Sequence, residues 1–262
     1  MDNGATSSPI LVTGGTGTLG RQVVPRLREA GRAVRVLSRK SHQPEDGIEY
    51  LTGDLLEGVG IAPAVSGVQT VLHLAGSRKG DDRATRNLVQ AASQAGVRHL
   101  VYISVIGADR VPLGYFRSKL GAEQAVTGSG VPWTTLRAAQ FHDLVLTVTR
   151  SMSKLPVIPV PSGIRFQPVD SGEVADRLVE LTLGPPAGLV PDLAGPKVSE
   201  MRELVRGYLQ ARGKHRMLLP VRLPGKAGRA LRAGGNLPLD ASLGQRSWED
   251  FLAERLSQDA AR

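Results

Sequence analysis

The chain has 262 residues with 33 Lys or Arg against 24 Asp or Glu, a formal net charge of +9, and no cysteine. The missing thiols exclude disulfides, thiolate metal sites and a cysteine nucleophile, and they argue against a small disulfide-held secreted domain. A chain of this length buries a full core in one α/β domain with an appended lobe, no stretch is apolar enough to span a bilayer, and MDNGATSSPI carries no basic-then-apolar leader.

A cytoplasmic protein is therefore expected, its first eight residues disordered. Short apolar runs then alternate with helical patterns. ILVTG (Ile10 to Gly14), AVRVLS (Ala33 to Ser38), IEYLTG (Ile48 to Gly53), TVLHLAG (Thr70 to Gly76), LVYIS (Leu100 to Ser104) and WTTLRA (Trp133 to Ala138) are each bounded by Gly, Asp or Pro. They read as buried parallel strands. Leu19, Val23 and Leu27 recur at helical spacing ahead of Gly31, with Pro25 removing one hydrogen bond. ATRNLVQAASQAG likewise ends on Gly96. Repeated βαβ units with right-handed crossovers give a doubly wound parallel sheet of the Rossmann type.

VTGGTGTLGR follows the first strand and opens the first helix. It reads as Gly15-x-Gly17-x-x-Gly20 or as Gly14-x-x-Gly17-x-x-Gly20, and in that context it predicts a pyrophosphate cradle rather than a plain tight turn. Gly14, Gly15, Thr16, Gly17, Thr18, Leu19 and Gly20 are its residues. An NAD site usually ends its second strand on an acid that binds the ribose 2′-hydroxyl. Here Ser38, Arg39 and Lys40 stand there, with no carboxylate between Glu29 and Glu45. A guanidinium and a hydroxyl suit a 2′-phosphate, so the expected cofactor is NADP(H). Asp54, with Leu55 beside it, is placed either to meet the adenine amino group or to cap a short helix.

Tyr115 and Lys119 stand four apart where VPLGYFRSKLGAEQAV enters a helix, so one helix face carries both. Spacing alone fits a proton-delivering pair or a half-buried ring beside a solvated ammonium. Beyond Phe141 the pattern loosens into Pro-rich loops, notably KLPVIPVPSG, with helices near Ser171 to Leu183, Ser199 to Arg212 and Ser247 to Leu256. The division expected is a nucleotide-binding domain over residues 1–155 and an integrated substrate lobe over residues 156–262. Arg202 to Arg232 holds nine Lys or Arg and a single acid, Glu203. Such charge attracts nucleic acid, anionic membrane or acidic ligands. Without a nucleic-acid motif or many aromatics it reads as a solvated face, and the partner expected is a small molecule. The five histidines never fall at metal-ligand spacing, so no metal site is expected.

Taken together, TGGTGTLG, GDL at Gly53 to Leu55, HLAG at His73 to Gly76, NLVQAASQAGVRHLVYISVIGAD, YFRSKLGAEQAV and WTTLRAAQFHDL resemble the atypical short-chain dehydrogenase/reductase superfamily in its NmrA-like branch. The resemblance runs from about Ile10 to Ala175. It implies that Ala75 and Gly76 border the cofactor and that Tyr115 protonates a carbonyl oxygen during hydride transfer. It further implies that Lys119 binds the nicotinamide ribose and lowers the tyrosine's pKa, while Ser104 positions the carbonyl or else caps a turn. Arg137, Gln140 and Phe141 would line the nicotinamide end, Phe141 having a core role as its other reading. The activity implied is NADP(H)-dependent reduction of a small carbonyl or quinone. The alternatives are a non-catalytic NADP(H) sensor of the kind this branch includes, and a nucleotide-sugar epimerase or dehydratase.

Overall fold

In chain order the first elements are β1 (Ile10–Thr13), α1 (Gly20–Glu29), β2 (Val34–Ser38), β3 (Ile48–Thr52), α2 (Ile61–Val65), β4 (Thr70–His73) and α3 (Asp81–Gln94). There follow β5 (His99–Val105), α4 (Gly114–Thr127), β6 (Trp133–Ala138), α5 (His142–Met152), β7 (Val157–Pro161), β8 (Arg165–Phe166) and α6 (Ser171–Leu183). The chain closes with β9 (Gly188–Leu189), β10 (Asp192–Ala194), β11 (Ser199–Glu200), α7 (Met201–Ala211), β12 (Met217–Val221), α8 (Gly225–Arg232), β13 (Ala241–Leu243) and α9 (Trp248–Ala260). This computed structural model describes residues 8–260 except positions 44, 46 and 78. Of the first eight residues, expected to be disordered, residues 1–7 lie outside the described residues and Ser8 is half-buried ahead of β1.

Two compact units are built from interleaved segments. The first runs to Ser104 and adds Ser118–Leu136 and Val174–Val190. Its strands lie in the order β3-β2-β1-β4-β5-β6, with β9 beside β6. The pairs β1–β2, β1–β4, β2–β3 and β4–β5 are all parallel. That order is the doubly wound Rossmann arrangement expected from the repeated βαβ pattern. All four residues of β1 and all seven of β5 are buried, because helices cover both faces of a parallel sheet.

The helices end where the glycines stand. Gly31 (φ +73) donates its N–H to Arg28 O and Arg32 donates to Leu27 O, so α1 closes in a Schellman motif that only a left-handed residue completes. Gly96 repeats it on α3, where its N–H bonds Ser93 O and that of Val97 bonds Ala92 O. A core of Leu11, Val71, Leu88, Ala92, Leu100 and Tyr102 packs the helices onto the strands.

The second unit comprises Val105–Arg117, Arg137–Glu173 and the chain from Pro191 onward. Its core joins Val145, Leu146, Leu204, Tyr208, Trp248 and Phe251, with Trp248 Nε1 donating to Leu204 O at 3.1 Å. Helix α7 is held at its start by a reciprocal capping box between Glu200 and Glu203. α6 occupies the span expected of it, and α7 and α9 fall within two to four residues of theirs. The Pro-rich run read as loop is instead partly strand. β7 pairs in parallel with β12, from Met217↔Val157 to Val221↔Pro161. Proline is tolerated because each strand of a two-stranded ribbon has an open edge that needs no N–H. Helix α5, which begins just after Phe141, was likewise hidden in that stretch.

Candidate nucleotide site and active site

The strand β1 hands the chain to Gly14, whose φ of +72 and neighbours both demand glycine: a Cβ there would lie 2.6 Å from Ala75 N. At Gly15 a Cβ would meet Val36 Cγ1 at 2.8 Å, and at Gly20 it would meet Gly14 O at 2.3 Å. Those three glycines are needed by the loop's own packing. Gly17 differs, since its Cβ would touch only Gly14 O, at 3.2 Å, and otherwise enter open space. α1 then starts at Gly20, its N-cap residue Leu19 offering no side-chain cap and its first turn holding no acid. A helix N-terminus left in that state presents N–H groups and its positive dipole end to an anion, as a pyrophosphate cradle requires. Around it Thr16 O accepts from Arg21 Nε at 2.9 Å, Thr18 is exposed and Leu19 is buried.

Past β2, Ser38 Oγ lies 3.0 Å from His42 Nε2 and accepts the Lys40 N–H at 3.2 Å, while Arg39 is exposed. Asp54 Oδ1 accepts the backbone N–H groups of Leu56 at 2.8 Å and Glu57 at 3.4 Å, turning its own loop. Leu55 is buried in the core, and its carbonyl accepts from Asn87 Nδ2 on α3.

Beyond β4 the chain passes Ala75 and Gly76, where the structure gathers several buried polar groups. A Cβ at Gly76 would come within 3.2 Å of Lys119 Nζ and 3.4 Å of Asp81 Oδ2. Those two atoms form an ion pair 3.0 Å long whose side chains are 8% and 4% exposed. Asp81 Oδ1 accepts the Ser77 N–H at 2.5 Å, so each carboxylate oxygen has a role. Lys119 Nζ also stands 5.3 Å from the centre of the Tyr102 ring, a cation–π contact. Tyr102 stacks on His73, which bridges Thr13 Oγ1 (2.7 Å) and Thr85 Oγ1 (2.9 Å). Burial, reinforced by the Lys119 charge, lowers the His73 pKa to about 3, so its ring is neutral here. The histidine is thus structural, and it braces β1, β4 and α3 beside the lysine.

Ser104, two residues beyond Tyr102 and on the same face of β5, is buried, and its hydroxyl has no hydrogen-bond partner among the described residues. Tyr115 is the second residue of α4, 41% exposed, with its ring edge against Phe116 at 5.5 Å. Arg137 Nη1 pairs with Asp109 at 3.2 Å. The buried Oε1 of Gln140 accepts no hydrogen bond among the described residues, while its backbone carbonyl accepts from Val169 N. Phe141 is half-buried at the start of α5. Gly14, Ala75, Gly76 and Lys119 are therefore brought together around the ends of β1 and β4. Asp81 is the residue that sequence reasoning missed. In GDDRAT an acid opening a helix looks like a simple complement to the helix dipole.

A glycine cradle, an uncapped helix and a buried lysine fit a nicotinamide dinucleotide. Comparison with known proteins agrees: residues 14–163 match the NAD(P)H-binding family. A (4-alkanoyl-5-oxo-2,5-dihydrofuran-3-yl)methyl phosphate reductase of Streptomyces griseus is 36% identical over 143 residues, 53% of this chain and 50% of the relative. Quinone oxidoreductase 2 of Escherichia coli is 29% identical over 51% of this chain and 49% of its own length. The chain thus spans about half the length of the curated relatives it matches. Among solved structures, the Escherichia coli NADPH-dependent quinone oxidoreductase complexed with NADPH superposes with a TM-score of 0.79 at 20% identity, covering 94% of this chain and 99% of that one. Triphenylmethane reductase of a Citrobacter species gives 0.79 at 22%, covering 95% and 99%. These two share the fold. By its matched residues and its Rossmann-type sheet, the chain belongs to the NAD(P)H-binding family.

Proposed function

We propose that this protein is an NADP(H)-dependent reductase of a small carbonyl, quinone or similar acceptor. The observation that carries this reading is the buried Ser104 hydroxyl without a partner, on the strand face that holds Tyr102 beneath Lys119. A buried hydroxyl left unsatisfied costs about 1–3 kcal/mol, and a substrate oxygen accepting from it would remove that cost. The names of the matched relatives, reductases of a furanone phosphate and of quinones, point the same way.

In this reading the loop from Gly14 to Gly20 holds the pyrophosphate, Ser38 and Arg39 take the 2′-phosphate, and Lys119 holds the nicotinamide ribose. When bound, the cofactor supplies a hydride to the acceptor carbon. Ser104 donates a hydrogen bond to the acceptor oxygen and orients it. Tyr115 gives its phenolic proton to that oxygen as negative charge develops there, so carbonyl becomes alcohol and the tyrosinate is reprotonated from solvent. Asp81 and the Tyr102 ring fix where the lysine head stands.

A second reading, the non-catalytic NADP(H) sensor, draws on the same ion pair. Asp81 already engages the lysine head that the reductase reading assigns to the nicotinamide ribose. Purified protein incubated with NADPH and a panel of quinones, aldehydes and ketones separates the two. A reductase oxidises NADPH with at least one acceptor; a sensor binds the nucleotide and oxidises none.

A further inference from the structure

The ribbon of β7 and β12 is apolar on both of its faces. Ile158 and Val160 point inward, buried against Val205 and Leu209, with Leu218 packed beside them. The opposite face carries Val157, Pro159 and Pro161 of β7, registered against Met217, Leu219 and Val221 of β12. A strand pair with one face in water ordinarily turns polar side chains outward. Here Met217 is 68% exposed and Leu219 51%. Adjacent exposed apolar side chains of this kind mark a surface that meets something.

Charge around the ribbon identifies the partner. Residues 151–169 and 204–239, the stretches that build the ribbon and its flanks, contain ten Lys or Arg and no Asp or Glu. Lys154, Lys214, Arg216 and Arg222, next to the strand ends, are all exposed. Lys154, His215, Arg216 and Met217 also line an open hollow of about 480 Å³. Two copies of such a surface would repel one another, which disfavours self-association. Pro159, Pro161 and Pro220 lack N–H donors, which disfavours an added strand from a peptide. No aromatic side chain stands on the outward face for a nucleic-acid base to stack on.

From this juxtaposition of an outward apolar ribbon face and exposed lysines and arginines at its strand ends, we propose that the β7–β12 ribbon docks the protein on an anionic lipid bilayer surface. Met217, Leu219 and Val157 enter the headgroup boundary while the neighbouring lysines and arginines meet lipid phosphates. Among the described residues no helix is long and apolar enough to cross a membrane, so the attachment is peripheral and reversible. The proposal stands on its own, whatever the reaction of the nucleotide site.

Co-sedimentation of the full chain with vesicles tests it. Vesicles of equal parts phosphatidylcholine and phosphatidylglycerol should carry down roughly ten-fold more protein than phosphatidylcholine alone, and high salt should reduce the difference. Met217→Ser with Leu219→Ser should release the protein, as should Lys214→Glu with Arg216→Glu. Thermal unfolding and NADPH binding of both variants should match the parent, since all four residues are exposed. Absence of sedimentation overturns the proposal. So does release by the charge variant alone, which would mean plain electrostatic adsorption. A concentration-dependent dimer that the serine variant dissociates would also overturn it, assigning the face to a second copy.

Discussion

Lys119 and Asp81 form an ion pair 3.0 Å long between α4 and the start of α3, both side chains almost wholly buried. Breaking a buried pair from one side leaves an uncompensated charge, which costs about 3–5 kcal/mol, whereas removing both charges is often nearly neutral. Asp81→Asn should therefore lower the unfolding free energy by roughly that amount. Asp81→Leu combined with Lys119→Met should recover most of it. Urea unfolding of the three proteins decides the matter, and equal losses in single and double variants would show that the pair is not a coupled unit. NADPH affinity should fall in both variants, because the first frees the lysine head from its position near Gly76 and the second removes it.

The glycine loop separates structure from binding. Gly20→Val should prevent folding, its Cβ lying 2.3 Å from Gly14 O, whereas Gly17→Val should fold and lose NADPH binding because its side chain enters the space of the phosphates. Circular dichroism and a fluorescence titration check both. Normal NADPH binding by Gly17→Val would remove the loop from the site.

Cofactor choice rests on Ser38 and Arg39 at the end of β2, in a stretch without a carboxylate. NADPH should bind more tightly than NADH, and Arg39→Ala should erase most of the difference. A hydrogen bond to a charged group is worth about 1.5–3 kcal/mol, or roughly ten- to a hundred-fold in affinity. Equal affinities for the two nucleotides in the parent protein would sink the assignment.

The pH dependence of stability follows from His73. Its folded pKa, about 3, lies below the ordinary 6.5 because burial penalises the charged ring. Between those values the unfolded chain binds a proton that the native state does not, so stability is complete above pH 6.5 and falls as pH drops towards 3. From pH 7 to 5 the loss from this group is roughly 2 kcal/mol. Burial lowers the pKa values of His99 and His142 too, with the same sign. Urea titrations at several pH values should show a slope against pH that is shallower in His73→Gln by close to one proton. Identical slopes would mean that His73 titrates normally.

The sheet was legible because its strands are short apolar runs punctuated by glycine, and burial on both faces permits no polar alternation to confuse them. The glycine loop was legible from its place between a strand and a helix, although two of its glycines answer to distant neighbours, Gly14 to Ala75 and Gly15 to Val36. Asp81 was not. Its partner stands 38 positions along the chain, and nothing local distinguishes it from Asp82, which pairs instead with Arg86 one turn away. β7 was hidden because proline signals a loop wherever both edges of a strand must be paired, and the open ribbon lifts that requirement. The outward apolar face emerged only once the register set Met217 opposite Val157 and Leu219 opposite Pro159.

Tyr115 gives the sharpest test of the chemistry. Its ring packs edge-on against Phe116 and is 41% exposed, so Tyr115→Phe keeps the packing and removes one hydroxyl. Stability and NADPH affinity should barely change. Turnover on any acceptor the parent reduces should fall by about a hundred- to ten-thousand-fold, the usual contribution of a positioned acid. Lys119→Ala should lower turnover and NADPH affinity together, and should also destabilise the fold by leaving Asp81 buried alone. The contrast between the two variants distinguishes roles that the four-residue spacing leaves open. A structural tyrosine would show lost stability with chemistry intact. Full activity in Tyr115→Phe would assign the proton to solvent, and Ser104 alone would then hold the acceptor oxygen. In that case Ser104→Ala, which removes a hydroxyl lacking any partner among the described residues, should reduce turnover without destabilising the protein.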